Sequence, residues 1–234
     1  MDDQGPIGPP PSETGKEVAA GLTRAGVSLI PLAGGPLAEL IDLVLQPMIH
    51  RRRDQWLQHL AAAMDELRAN AVDIRTLPGN DLVATVIVNT TAAAARTHED
   101  EKLRALRNAV VNSALSLGPD EHTQMMFLRF VDEFTALHLQ LLAYLRHPGG
   151  WYETNGIPRP DIYMGSRSHL LEGAFPELRG RADFYQQVLN ELGARGLCQP
   201  GMLSGMVSAQ GMWDPATTPL GNRFLGVISR PVAS

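Results

Sequence analysis

The stretch from Gly15 to Arg53, GKEVAAGLTRAGVSLIPLAGGPLAELIDLVLQPMIHRRR, holds an uncharged run of 14 residues, Ala25 to Ala38. A membrane-spanning helix needs roughly 20 unbroken apolar residues. Here Pro31, Gly34, Gly35 and Pro36 interrupt the run, and charges bound it on both sides. The sequence therefore predicts a hairpin of two apolar arms instead of a span, with its hinge at Pro31, Gly34, Gly35 and Pro36. In the first arm, small residues four apart (Gly15/Ala19, Gly21/Ala25) allow another helix to approach closely. The second arm opens on Pro36, whose missing N–H costs nothing at a first helical position. Its Leu37, Leu40, Ile41, Val44, Leu45 and Met48 follow helical spacing. Pro47 predicts a kink, because the pattern resumes at Trp56, Leu57, Leu60, Met64 and Leu67. Arg51, Arg52 and Arg53 follow the kink and fan over about 200° of the helix. They form a solvated collar, or else a contact for phosphates or anionic lipid.

Composition narrows the class. The chain has 234 residues, 44% of them hydrophobic and 19% charged, enough for a sizeable core. A net charge of −5 argues against general nucleic-acid binding, which rests on neutralising phosphates. Cys198 is the only cysteine, so no disulfide or cysteine zinc site forms within one chain. That fits a reducing compartment. The opening MDDQ is acidic and lacks the basic start of a secretory signal. The expected location is cytoplasmic, with a peripheral membrane contact through the hairpin as the second placement.

The rest of the chain reads as helix after helix. Residues 1–13 predict a disordered tail, 14–147 a helical bundle beginning with the apolar hairpin, 148–165 a linker, and 166–234 a C-terminal module. Asn80 or Asp81 caps a helix over Leu82–Arg96, in which Ala92–Ala95 suggest close packing. Asp100–Leu117 alternates charged and apolar faces. Pro119 opens a long helix to Arg146, apolar around much of its circumference and thus the expected central helix. His147-Pro-Gly-Gly-Trp and the following residues to Gly165 carry the turn chemistry of a linker. Helices then follow over Ser168–Phe175 and Ala182–Ala194, and Thr218 with Pro219 marks a last helix start.

The segments ELGARGL and TTPLGNRFLGVI resemble the end of a winged-helix module, in which a helix runs into a hairpin and a closing helix. The fold class expected is thus mainly α: a multi-helix bundle with a small winged-helix-like α+β module at its C-terminus. Winged helices often bind DNA, but from Asp161 onward six acids balance six arginines, which makes a poor DNA reader. EKLRALRNAVVNSAL and FLRFVDEFTALHLQLLAYLRHP, together with that ending, resemble a loose group of uncharacterised bacterial helical proteins. Abortive-infection α-type proteins are similar in layout. The resemblance implies a phage-defence setting and brings no catalytic residues with it.

No constellation points to an enzyme. His50 and Asp54 stand four apart without a third ligand, and no His-Glu-x-x-His, Walker loop or Gly-x-Ser-x-Gly elbow occurs. The acids around His98 and His122 suit helix starts. His138 is expected as a satisfied core histidine and Cys198 as a small buried residue. No catalytic residue, metal site or cofactor is assigned. The function expected is a non-enzymatic interaction or adaptor protein with a protein partner or a second copy of itself. A membrane-acting effector using the 15–53 hairpin is the first alternative, and a DNA-binding regulator the second.

Overall fold

In the computed structural model the described residues are 43, 45–160, 164–203, 205 and 207–231. The hairpin hinge, Pro31, Gly34, Gly35 and Pro36, lies outside them, as does the expected tail. The chain divides into two units at Met48/Ile49, and the second, Ile49–Ser234, holds almost all of the described residues. The described residues are mainly helical: α1 (Gln46–Ala69), a 3-10 turn (Ile74–Gly79), α2 (Asp81–Arg96), α3 (Asp100–Ala114), α4 (Glu121–Glu133) and α5 (Ala136–Arg146) come first. After them come α6 (Pro148–Thr154), α7 (Arg167–Ala174), α8 (Ala182–Ala194) and α9 (Pro219–Ile228). The only paired strands among the described residues are two residues long: β1 (Met164–Gly165) runs antiparallel to β2 (Val207–Ser208). Leu43 and Leu45 have π-helical backbone just before α1, and Pro47 falls in its first turn, where its missing N–H donor costs no hydrogen bond within α1.

Local chemistry fixes several helix starts. Asn80 accepts from Val83 N at 3.2 Å, Asp120 from Thr123 N at 3.1 Å, and Thr218 from Gly221 N at 3.0 Å. Each satisfies an amide that has no partner within its own helix. Gly221 has a second reason to be glycine, since a β-carbon there would stand 2.0 Å from the Leu197 carbonyl oxygen.

Two expectations are corrected. The continuous helix from Pro119 to Arg146 is broken at Phe134–Thr135 into α4 and α5. The central helix is α3 instead: Lys102, Leu103, Ala105, Leu106 and Ala109 through Ser113 are all buried, and α3 packs on α2, α4, α5 and α9. Residues 148–165 do not behave as a bare linker. They carry α6, whose Tyr152 is 1% exposed and donates to the Leu170 carbonyl at 2.6 Å. Burial pushes that phenol above its ordinary value.

One hydrophobic core runs from Trp56 through α2–α6 to α8 and α9, across the boundary expected near residue 148. Its joint is aromatic. Phe127 and Phe130 of α4 and Phe134 just past its end surround Phe224 of α9 edge-on, with centroids 5.3, 6.1 and 6.3 Å away. A smaller cluster of Ala63, Leu67, Leu77, Val83 and Val111 pins the C-terminal half of α1 to α2 and α3.

Candidate functional site

Three places concentrate polar chemistry or unpartnered apolar surface. The first is the α4–α5 break. Backbone amides at the start of α5 and carbonyls at the end of α4 need partners there. One turn at the head of α3 serves both. Glu99 Oε1 accepts from Ala136 N at 3.3 Å, while Lys102 Nζ donates to the Asp132 carbonyl at 2.9 Å. The carboxylate thus meets a positive helix end and the ammonium a negative one. Lys102 is only 8% exposed, and burial holds its pKa below the ordinary lysine value against the pull of Glu99 and Asp132. Arg96 closes the ring with two bonds to Asp132, at 3.2 and 2.7 Å.

His138 completes the break. Its Nδ1 accepts from the Thr135 amide at 3.2 Å and lies 2.8 Å from Thr135 Oγ. The proton therefore sits on Nε2, which donates to Glu191 Oε2 of α8 at 3.0 Å. The ring stacks on Phe134 at 4.9 Å and 5°. Burial lowers the imidazole pKa, opposed chiefly by Glu191. Glu191 in turn is held below the usual carboxylate range, first by Gln187 and then by His138. A chain of hydroxyl, imidazole and carboxylate has the order of a proton relay. Here its imidazole acceptor is already taken by a helix amide, so the arrangement is a cap.

The second place is α1, where the arginine run lies. Arg51, Arg52 and Arg53 are not brought to one spot. Arg51 is exposed, Arg52 is half-buried and donates to the Ala95 carbonyl at the end of α2 at 3.4 Å, and Arg53 is exposed 3.5 Å from Asp54. The three therefore do not converge on one anion site. Among the described residues nothing covers Leu57, which is 52% exposed on the outer side of the same helix, while the adjacent Trp56 is 3% exposed; Ile49, seven residues before Trp56 and so in line with it, is 59% exposed near the start of the helix. Ala61 and Asp65 continue that face, and Asp65 pairs with Arg68 at 2.8 Å.

The third place is a small cleft between α8 and the loop after it, lined by Gln186, Leu189, Asn190, Gln199, Met202 and Leu203. Cys198, at the root of that loop, is 1% exposed, and burial pushes its thiol up to about 11, which makes it a poor nucleophile. Among the described residues no group of three or more His, Cys, Asp or Glu could hold a metal ion. No helix among them is long and apolar enough to cross a membrane.

Sequence patterns do not single out Glu99, Lys102 or the α1 face as a group. A threonine with a ring acceptor three residues later, Thr135-x-x-His138, is the one local sign of the break. Compared with family models, curated proteins and solved structures, the chain matches none.

Proposed function

We propose that this protein is a non-enzymatic helical contact protein that pairs with a second copy of itself through α1. The observation that carries this reading is the bare outer face of a helix whose other face is anchored in the core. In antiparallel pairing of two such faces, Leu57 of one copy falls opposite Ala61 of the other. The same register sets Arg53 against Asp65 of the second copy. A large residue against a small one, and a cation against an anion, is the complementarity that a two-fold contact requires. The reactive side chains support the same reading, because Lys102 and His138 are both engaged at helix ends.

We further read residues 164–231 as a reduced winged-helix-like module acting as the adaptor. The order β1, α7, α8, Cys198 bridged to Thr217, and a closing α9 supports this. The resemblance in layout to abortive-infection α-type proteins favours phage defence as the setting of the contact. Nucleic acid is the partner least favoured, since the solvent side of α8 carries Asp183 and Glu191.

Sedimentation velocity over a concentration series tests the pairing. A concentration-dependent dimer is expected, lost in Leu57→Asp, weakened in Arg53→Asp and recovered when Arg53→Asp is combined with Asp65→Arg. A monomer at every concentration, or a dimer indifferent to Leu57→Asp, sinks the proposal. One observation favours a second reading: exposed Ile49 and Leu57 stand about 80° apart round α1 and exposed Arg51 lies on the opposite side, the segregation an interfacial membrane helix uses. Co-sedimentation with phosphatidylserine vesicles that is lost in Ile49→Ser would support it, and no binding would end it.

A further inference from the structure

We infer that the cleft between α8 and the 199–203 loop binds an extended, uncharged polypeptide segment by seating one aliphatic side chain. This rests on reading the protein as a contact protein and names a surface and a partner class separate from the α1 face.

The cleft has an apolar floor and a carboxamide rim. Leu189 is 6% exposed, Met202 and Leu203 are partly buried against the core, and Gln186, Asn190 and Gln199 are exposed around them. A carboxamide offers two donors and an acceptor, which match the C=O and N–H of an extended backbone. Among the described residues none of these three side-chain amides has an intramolecular partner. Gln187, which points elsewhere on α8, spends its own on Glu191 at 3.0 Å.

The walls are fixed before any ligand arrives. Gln199 N donates to the Ala216 carbonyl at 2.9 Å, Cys198 pairs with Thr217 in an antiparallel bridge, and the Cys198 thiol donates to the Leu189 carbonyl at 3.6 Å. The root of the loop is therefore tied both to α8 and to the extended segment leading into α9. A preformed cleft spares a ligand part of the ordering cost of binding.

Size and charge select the occupant. The cavity is about 110 Å³, smaller than the roughly 150 Å³ engineered cavity that accepts benzene. It holds one branched aliphatic side chain and is too small for a purine. No charged side chain lines it. Asp183 and Glu191 on the outer side of the same helix oppose phosphates, so a nucleic acid fails on both counts.

The test is selection of phage-displayed random heptapeptides on the full-length chain, followed by anisotropy titration of the labelled consensus peptide. The expected consensus has one Val, Ile or Leu flanked by uncharged residues. Its affinity should fall about tenfold in Asn190→Ala or Gln186→Ala, and be lost in Leu203→Trp, which fills the floor. Unchanged far-ultraviolet circular dichroism shows that the variants are folded. Leu57→Asp should leave peptide affinity unaltered, so failure here with a dimer still sensitive to Leu57→Asp removes this inference alone. A selection without a consensus overturns it, as does a consensus indifferent to all three cleft variants. So does retention of a DNA duplex that Asn190→Ala abolishes.

Discussion

α1 and α3 are both amphipathic, both rich in arginine and leucine, and treated very differently by the fold. α3 is enclosed by four helices and buries nine residues, including a lysine and an asparagine. α1 buries three, Trp56, Ala63 and Leu67, and turns Leu57 outward beside the most buried of its aromatics. Hydrophobicity alone does not separate Trp56 from Leu57. Position round the helix does, since Trp56 lies in line with Ala63 and Leu67 and Leu57 about 100° away. Trp56 also has a polar anchor, its indole N–H donating to Thr91 Oγ of α2 at 3.0 Å.

The sharpest way to break this comparison is at the neighbouring pair. Trp56→Ala should cost about 3–5 kcal/mol through cavity formation, whereas Leu57→Ala should stay within about 0.5 kcal/mol. Urea denaturation of the two variants, at a protein concentration low enough for the chain to be monomeric, checks this. Equal costs in the monomer would mean that Leu57 packs within its own chain.

The next effect belongs to α3. Asn112, 2% exposed, donates its amide to the carbonyls of Val227 at 2.7 Å, Ser229 at 2.9 Å and Gly226 at 3.2 Å. Asn108 donates to Ile228 O at 2.9 Å. One face of α3 therefore caps the C-terminus of α9, whose last carbonyls have no partner within the helix. Asn112→Leu keeps the volume and strands buried acceptors, at an expected cost of about 2–3 kcal/mol. Amide exchange should quicken in α9 and not in α1. An Asn112→Leu protein as stable as the parent would show that water can replace this cap.

These two contrasts also explain what the sequence could disclose. The starts of α2, α4 and α9 are readable because Asn80, Asp120 and Thr218 act on their own helices within three residues. The limits of α8, Ala182–Ala194, are readable for a related reason: its apolar spacing and its exit at Gly196 are both local. The α4–α5 break is not, because Phe134-Thr135 lacks proline and glycine and two of its partners, Glu99 and Lys102, lie at least thirty residues earlier. Leu57 stands about 100° round α1 from Trp56, at the edge of the apolar stripe of Trp56, Leu60, Ala63 and Leu67, so its outward side is legible from spacing and only its degree of exposure needs the tertiary contacts. The α8 cleft forms only once the loop after Cys198 folds back, which no local pattern announces. For the arginine run, the fan over the helix is legible, but the capture of Arg52 by the end of α2 is not.

The smallest expected effect concerns His138, and its sign comes from where its protons sit. Nδ1 must stay unprotonated to accept from the Thr135 amide, so protonation removes that bond and sets two N–H groups against each other. Lys102 and Glu99 face the ring from the α3 side and Glu191 from α8, and burial outweighs the acids to lower its pKa from the ordinary 6.5. The unfolded chain then binds the proton more tightly, so stability is full above about pH 6.5 and declines as pH falls below it. Glu191, with its own pKa lowered, keeps its contribution until well into the acid range, which separates the two in pH. His138→Gln retains an acceptor for the Thr135 amide, as the Thr-x-x-Gln form of the capping box does, but cannot titrate. Thermal melts at about pH 7 and about pH 5.5 should show a larger loss for the parent than for His138→Gln. If the two slopes coincide, the imidazole does not titrate within the fold, and the cap at α5 is indifferent to pH in the same way as the Asn112 cap at α9.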